Sequence, residues 1–192
     1  MIRLFVGLDL PADLAERLAG LSAGLPGARR IAPENLHLTL RFVGEIDEAT
    51  AADLDLALTR VEAAPFTLTL TELGLFGDRH RAHTLWRGVE PSPPLRQLAG
   101  RVEAAATRVG LAAETRRFSP HITLARLDSI RPERLQRALA VPPPPEILAV
   151  EAFTLFQSHL SPHGAQYERL VSYPLTAAGS VPGGLSGGGA FE

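Results

Sequence analysis

His37 and His121 each stand two residues before a threonine, in the strings His37-Leu38-Thr39-Leu40 and His121-Ile122-Thr123-Leu124. An imidazole with an unperturbed pKa of about 6.5 can give or take a proton near neutrality, a contribution of roughly 10²–10⁴-fold to rate. Two of them can serve both ends of one displacement. One takes a proton from the attacking oxygen and the other supplies one to the leaving oxygen. Hydrolysing or cyclising a phosphodiester requires that division of labour. The hydroxyls of Thr39 and Thr123 suit the remaining task, hydrogen-bonding non-bridging phosphate oxygens in place of a metal or a cationic cluster.

A lone histidine on a half-buried strand is more often a structural residue whose polar atoms are satisfied locally. Recurrence changes that balance. The second motif follows the first by 84 residues, and Phe66-Thr67-Leu68 recurs 87 residues on as Phe153-Thr154-Leu155. A helix is expected between motif and hairpin each time, so the chain reads as an internal duplication. Packing alone gives no reason to repeat both His and Thr on the polar face of equivalent strands. On a strand, alternate residues share a face. His37, Thr39 and Arg41 are expected to point one way, with Leu36, Leu38, Leu40 and Phe42 facing the other. His121 and Thr123 likewise stand before Ile122 and Leu124. Two lobes related by a pseudo-twofold axis would bring the two polar faces together.

The elements that must position these residues follow from periodicity. Ile2, Leu4, Val6 and Leu8 alternate, and Pro11 opens a helix carrying Leu14, Leu18, Leu21 and Leu25. A strand over residues 36–43 leads into a helix from Asp47 with Leu54, Leu58 and Val61 on one face. Strands 66–75 and 83–89 flank Gly77, Asp78 and Arg79 as a hairpin. Ser92 and Pro93 open a helix that stops at Gly110, beyond which the second half is expected to begin. That half holds a strand over 121–127, a short helix over 132–139 and a proline break at 142–145. Strands 148–160 and 167–175 then flank Ser161, Pro162, His163 and Gly164 as a second hairpin. The expected fold is α+β: two pseudo-symmetric lobes, each an antiparallel sheet with helices on its outer face, and an active-site cleft between them. Residues 1–176 are expected to form this single bilobal domain. The Gly- and Ser-rich stretch 177–192 is too poor in apolar residues to offset ordering entropy and reads as a flexible tail.

A chain of 192 residues can bury a real core, and its 45% hydrophobic and 21% charged content is that of a globular protein. With no cysteine, disulfides, thiolate nucleophiles and sulfur-bound zinc are excluded. The net charge of -2 argues against a broad platform for duplex nucleic acid. All 19 basic residues are arginine, so any cation that grips phosphate is a guanidinium. Arg3 and Asp9 interrupt the apolar N-terminal run, which is expected to be a strand rather than a leader or a membrane span. A cytoplasmic monomer is the expectation.

The chain resembles the two-histidine (2H) phosphoesterase superfamily, and within it the RNA 2′,3′-cyclic phosphodiesterases, the 2′-5′ RNA ligase-like branch. The resemblance covers nearly the whole folded chain. It rests on both H-x-T-x motifs in their settings: R-L-F-V-G-L-D-L from Arg3, E-N-L-H-L-T-L-R-F-V-G from Glu34, and F-S-P-H-I-T-L-A-R from Phe118. It implies hydrolysis of a terminal 2′,3′-cyclic phosphate on RNA or a nucleotide to a 2′-phosphomonoester, with no metal and no cofactor. It also implies His37 as proton donor to the leaving 3′ oxygen and His121 as the base that activates water. Arg126 follows the second motif, and the resemblance favours it as a phosphate ligand, although strict alternation would turn it to the opposite face.

Other candidates are weaker. Trp86, Phe42 and Tyr167 could stack a base, but core packing is the expectation for Phe42. His80 with His83, and His159 with His163, have spacings that suggest a metal site. Each pair falls at a turn without cysteine or paired carboxylates, so none is expected. Competing functions are 2′-5′ RNA ligation or hydrolysis of another cyclic nucleotide at the same site, and a non-catalytic RNA-end binding module.

Overall fold

The computed structural model describes residues 1–25, 27–77, 81–130, 135, 139–161 and 164–176. The tail over 177–192 and nearly all of the helix expected over 132–139 lie outside these residues. In chain order the elements are β1 (Ile2–Asp9), α1 (Ala12–Gly20), β2 (Ala28–Arg30), β3 (His37–Ile46), α2 (Glu48–Leu58), β4 (Phe66–Gly77) and β5 (Ala82–Val89). Then come α3 (Pro93–Arg108), β6 (His121–Ile130), β7 (Glu146–Val150), β8 (Ala152–Ser161) and β9 (Gly164–Pro174).

Local sequence explains the boundaries. Asp47 caps α2 by accepting a hydrogen bond from the Thr50 amide at 2.8 Å, and Ser92 caps α3 through the Leu95 amide at 3.3 Å. Gly110, just past α3, has φ +86, a conformation open to glycine because it has no Cβ. Helix α1 stops at Gly20, short of the expected Leu25, which lies in the turn that follows.

The strands form one curled antiparallel sheet in the order β7-β4-β5-β6-β3-β1-β8-β9, with β2 against β6. At its centre β3 and β6 meet through the pair Leu38–Ile122. On either side the order is the same, β3-β1-β8-β9 in one direction and β6-β5-β4-β7 in the other. These are the two expected lobes, joined at a seam rather than separate.

Their composition differs from the expectation in one respect. The repeated unit holds a strand, a helix, the motif strand and a closing strand, running from β1 to β4 and again from β5 to β8. It therefore restarts at β5, before α3, and not beyond Gly110. The last strand of each unit crosses to the other lobe: β4 pairs with β5, and β8 pairs with β1. The strand expected over 148–160 is accordingly two strands. β7 lies on β4, while β8, after a break at Glu151, lies on β1.

Leu36, Leu38, Leu40, Ile122 and Leu124 join Leu14 and Leu18 of α1, Leu54 and Leu58 of α2, and Leu98 and Val102 of α3 in one apolar cluster. The helices thus cover the face of the sheet behind the imidazoles. Burying each such side chain is worth about 1.5–3 kcal/mol, so the two motif strands are held firmly from behind. Arg87 of β5 is also completely buried and donates Nη2 to the carbonyl of Pro144 at 2.6 Å, tying the proline run to the sheet.

Candidate active site

His37 and His121 open their strands, and each ring is fixed in the same way. Nδ1 of His37 lies 2.8 Å from the Asn35 carbonyl oxygen, and Nδ1 of His121 lies 2.8 Å from the Ser119 carbonyl oxygen. A carbonyl can only accept, so Nδ1 carries the proton and the neutral ring keeps its lone pair on Nε2. Antiparallel register around Leu38–Ile122 places His37 across from Thr123 and Thr39 across from His121.

Aromatic rings surround both histidines. The His37 ring centroid is 4.6 Å from that of Phe5, and the Tyr167 ring meets it edge-on at 4.9 Å. Phe76 meets His121 edge-on at 4.8 Å, with Trp86 at 6.3 Å. Burial therefore pushes the pKa of both imidazoles below 6.5, because the cation loses hydration. The opposing influences are unequal. The Asn35 carbonyl and then the Asp9 carboxylate raise His37, whereas His121 is raised by the Ser119 carbonyl alone; Arg126 lowers both, and His121 lowers His37 as well. Asp9 is opposite His37 in the β1–β3 register and receives a 2.7 Å hydrogen bond from Arg169 Nε. The residue opposite His121 is Gly88.

Two bulges rearrange the residues after each threonine. Across from Val6 and Gly7, β3 places Arg41 and Thr39, so Leu40 is the extra residue; across from Leu85 and Trp86, β6 places Ala125 and Thr123, so Leu124 is extra. A bulge reverses the alternation beyond it. Leu40 and Arg41 both face inward, as do Leu124 and Ala125, and all four are buried. Arg41 therefore leaves the site face where it was expected. Its Nε meets Glu103 at 2.6 Å, and its guanidinium also donates to the carbonyls of Phe42 and Ala112. Arg126 and Phe42 turn the opposite way, onto the face of the histidines. Arg126 donates Nη1 to the Thr84 hydroxyl at 3.0 Å. Phe42, expected in the core, is 55% exposed.

Asn35 was not singled out from sequence, yet it braces the first motif from two sides. Its carbonyl holds His37, while its side chain donates to the Ala165 carbonyl and accepts from the Tyr167 amide on β9. The string E-N-L-H holds the residue but not its partner 132 positions away. Among the described residues no group of three His, Cys, Asp or Glu side chains is placed to hold a metal. His159 donates Nε2 to Glu168 at 3.0 Å, and His80 and His163 lie outside the described residues.

Twin H-x-T-x strands side by side at the seam of a curled antiparallel sheet, backed by helices, define the architecture of the two-histidine phosphoesterases. The chain belongs to the 2′-5′ RNA ligase superfamily, whose model matches residues 10–161. It is 36% identical to an RNA 2′,3′-cyclic phosphodiesterase of Escherichia coli K12, over 91% of this chain and 97% of that relative. It is 30% identical to an RNA 2′,3′-cyclic phosphodiesterase of Archaeoglobus fulgidus, over 88% and 98%. The crystal structure of E. coli LigT complexed with 3′-AMP superposes with a TM-score of 0.76 at 34% identity, covering 92% of this chain and 99% of that one.

Proposed function

We propose that this protein hydrolyses terminal 2′,3′-cyclic phosphates of RNA or nucleotides to 2′-phosphomonoesters, by acid–base catalysis between His37 and His121 and without a metal. The observation that carries the reading is the matched pair of imidazoles. Both are pinned through Nδ1, both offer Nε2, and each lies across from the threonine of the other motif.

In the reaction His121 Nε2 takes a proton from water as the water oxygen attacks phosphorus. The bond from phosphorus to the 3′ oxygen breaks, and that oxygen receives the proton on His37 Nε2. The bond to the 2′ oxygen stays, which fixes the product isomer. Charge gathering on the non-bridging oxygens is met by the hydroxyls of Thr39 and Thr123 and by the Arg126 guanidinium. The Asp9 carboxylate opposite His37 supports the donor role there by favouring its protonated form, while Arg126 disfavours the cation on both rings and His121 disfavours it on His37.

Both imidazoles come from one chain, so the site is complete in a monomer, and the repeats that exchange strands make residues 1–176 one working unit. Among the described residues no helix is long and apolar enough to cross a membrane. A chain without cysteine is compatible with the reducing cytoplasm, where we place its RNA substrates.

The test uses an oligonucleotide ending in a 2′,3′-cyclic phosphate, incubated with the protein in EDTA. A 2′-phosphate product is expected, and His37→Ala and His121→Ala should each lower kcat about a thousandfold while the circular dichroism spectrum is unchanged. Activity lost to EDTA and restored by zinc, or an active His121→Ala, would sink the mechanism.

A further inference from the structure

Beyond the seam the two motif strands part. β3 meets β6 through the pair Leu38–Ile122, and from there β2 takes the place beside β6, with Arg30 opposite Ala125, Arg29 opposite Arg126 and Ala28 opposite Leu127. Arg126 faces the site, so Arg29, its direct register partner, faces the same way. With β5 they make one row across three strands: Thr84, Arg126, Arg29. The matching place in the first lobe is held by Phe42, paired with Phe5, so that wall carries no charge there. Resting on the phosphodiesterase reading above, we propose that Arg29 is a second anion subsite, which binds the phosphodiester on the 5′ side of the terminal nucleotide of a single-stranded RNA.

Two guanidiniums directly opposed on neighbouring strands have Cβ atoms about 5 Å apart and repel each other, so the pair weakens the free sheet. Packing does not explain it, because Arg29 is exposed. Its Nε lies 3.3 Å from Asp128 Oδ1, with the two side chains 73% and 62% exposed. An ion pair so open to water contributes little to stability and exchanges readily for a phosphate. Arg126 is engaged differently. It is tied to the Thr84 hydroxyl at 3.0 Å and lowers the pKa of both imidazoles, which sets it beside the reacting phosphate. Asp128 lies two residues farther along β6 from His121, and it draws the Arg29 guanidinium in that direction. The two cations are therefore staggered along the groove, one at the cyclic phosphate and one beyond it, in the order of successive phosphates on one strand. With a net charge of -2 the chain offers one cation for one flanking phosphate, not a track for a duplex.

The experiment compares adenylyl-(3′→5′)-adenosine 2′,3′-cyclic phosphate with its analogue in which the internucleotide link is an uncharged methylphosphonate. The two share both bases and the reacting phosphate, so the ratio of their kcat/KM values reads the flanking charge alone. Wild type should favour the charged link about tenfold, through KM. Arg29→Ala should abolish that preference, and Arg29→Lys should keep most of it. Arg30→Ala removes the same charge from the opposite face of β2 and should keep the wild-type ratio. Added salt should lower kcat/KM for the charged substrate less steeply in Arg29→Ala than in wild type, by about 0.7 in the slope of log kcat/KM against log salt. No preference in wild type, a preference that survives Arg29→Ala, or an equal loss in Arg30→Ala overturns the subsite and leaves the phosphodiesterase reading standing. Hydrolysis of neither compound by wild type overturns that reading, and the subsite with it.

Discussion

Asp9 and Gly88 occupy matching places opposite the two histidines, so only His37 has a carboxylate across the strand pair. With His37 as the acid, the free enzyme is active while His37 holds its proton and His121 has lost its own. Burial lowers both imidazoles below 6.5, so both limbs of the kcat/KM profile should lie on the acid side of that value, as properties of the coupled pair. Replacing Asp9 with Asn removes an influence that raises His37 and leaves the Arg169 cation unpaired beside it. Both changes favour the neutral ring. The alkaline limb of Asp9→Asn should therefore move to lower pH while the acid limb stays, as read from kcat/KM against pH. Movement of the acid limb alone would show that the roles are reversed. His37, Thr39, His121 and Thr123 could be singled out from sequence because a period of two leaves residue types and spacing visible. It concealed Asp9, whose partner across β1 and β3 is fixed by pairing and not by distance along the chain.

Strand register, more than residue identity, decides what reaches the site. Strict alternation misplaced Arg41, Phe42 and Arg126 together, because one extra residue after each threonine reverses the face of everything beyond it. Nothing in the apolar and polar pattern marks Leu40 or Leu124 as that residue, since both are buried leucines in either register. The close approach of β1 to β3 offers a test at this scale. A Cβ on Gly7 would stand 2.9 Å from the carbonyl oxygen of Leu38, between His37 and Thr39. Backbone must give way there. Gly7→Ala should lower kcat by roughly ten- to a hundredfold, since sub-ångström misplacement of catalytic groups is costly. Its melting temperature should fall by only a few degrees, and comparing steady-state kinetics with thermal unfolding separates the two effects. A variant with wild-type kcat would show that the motif strand adjusts freely.

Across the whole molecule, the duplication was legible from the recurring motifs and Phe-Thr-Leu strings. The exchange of strands was not, because a hairpin reads the same whichever lobe receives it. Each repeat needs the other's last strand to complete its lobe. A chain cut between Gly77 and Ala82 should therefore give two pieces that show little ordered structure separately, and that regain strand signal and activity when co-expressed; a piece folding alone would contradict this. The same exchange bears on how the site became one-sided. Two identical half-chains trading terminal strands would form a swapped homodimer, bound by symmetry to carry the same residue at the positions now held by Phe42 and Arg126. Covalent fusion lifts that identity. Once both copies reside in one gene, each can mutate alone, and a palindromic groove can acquire a head and a tail.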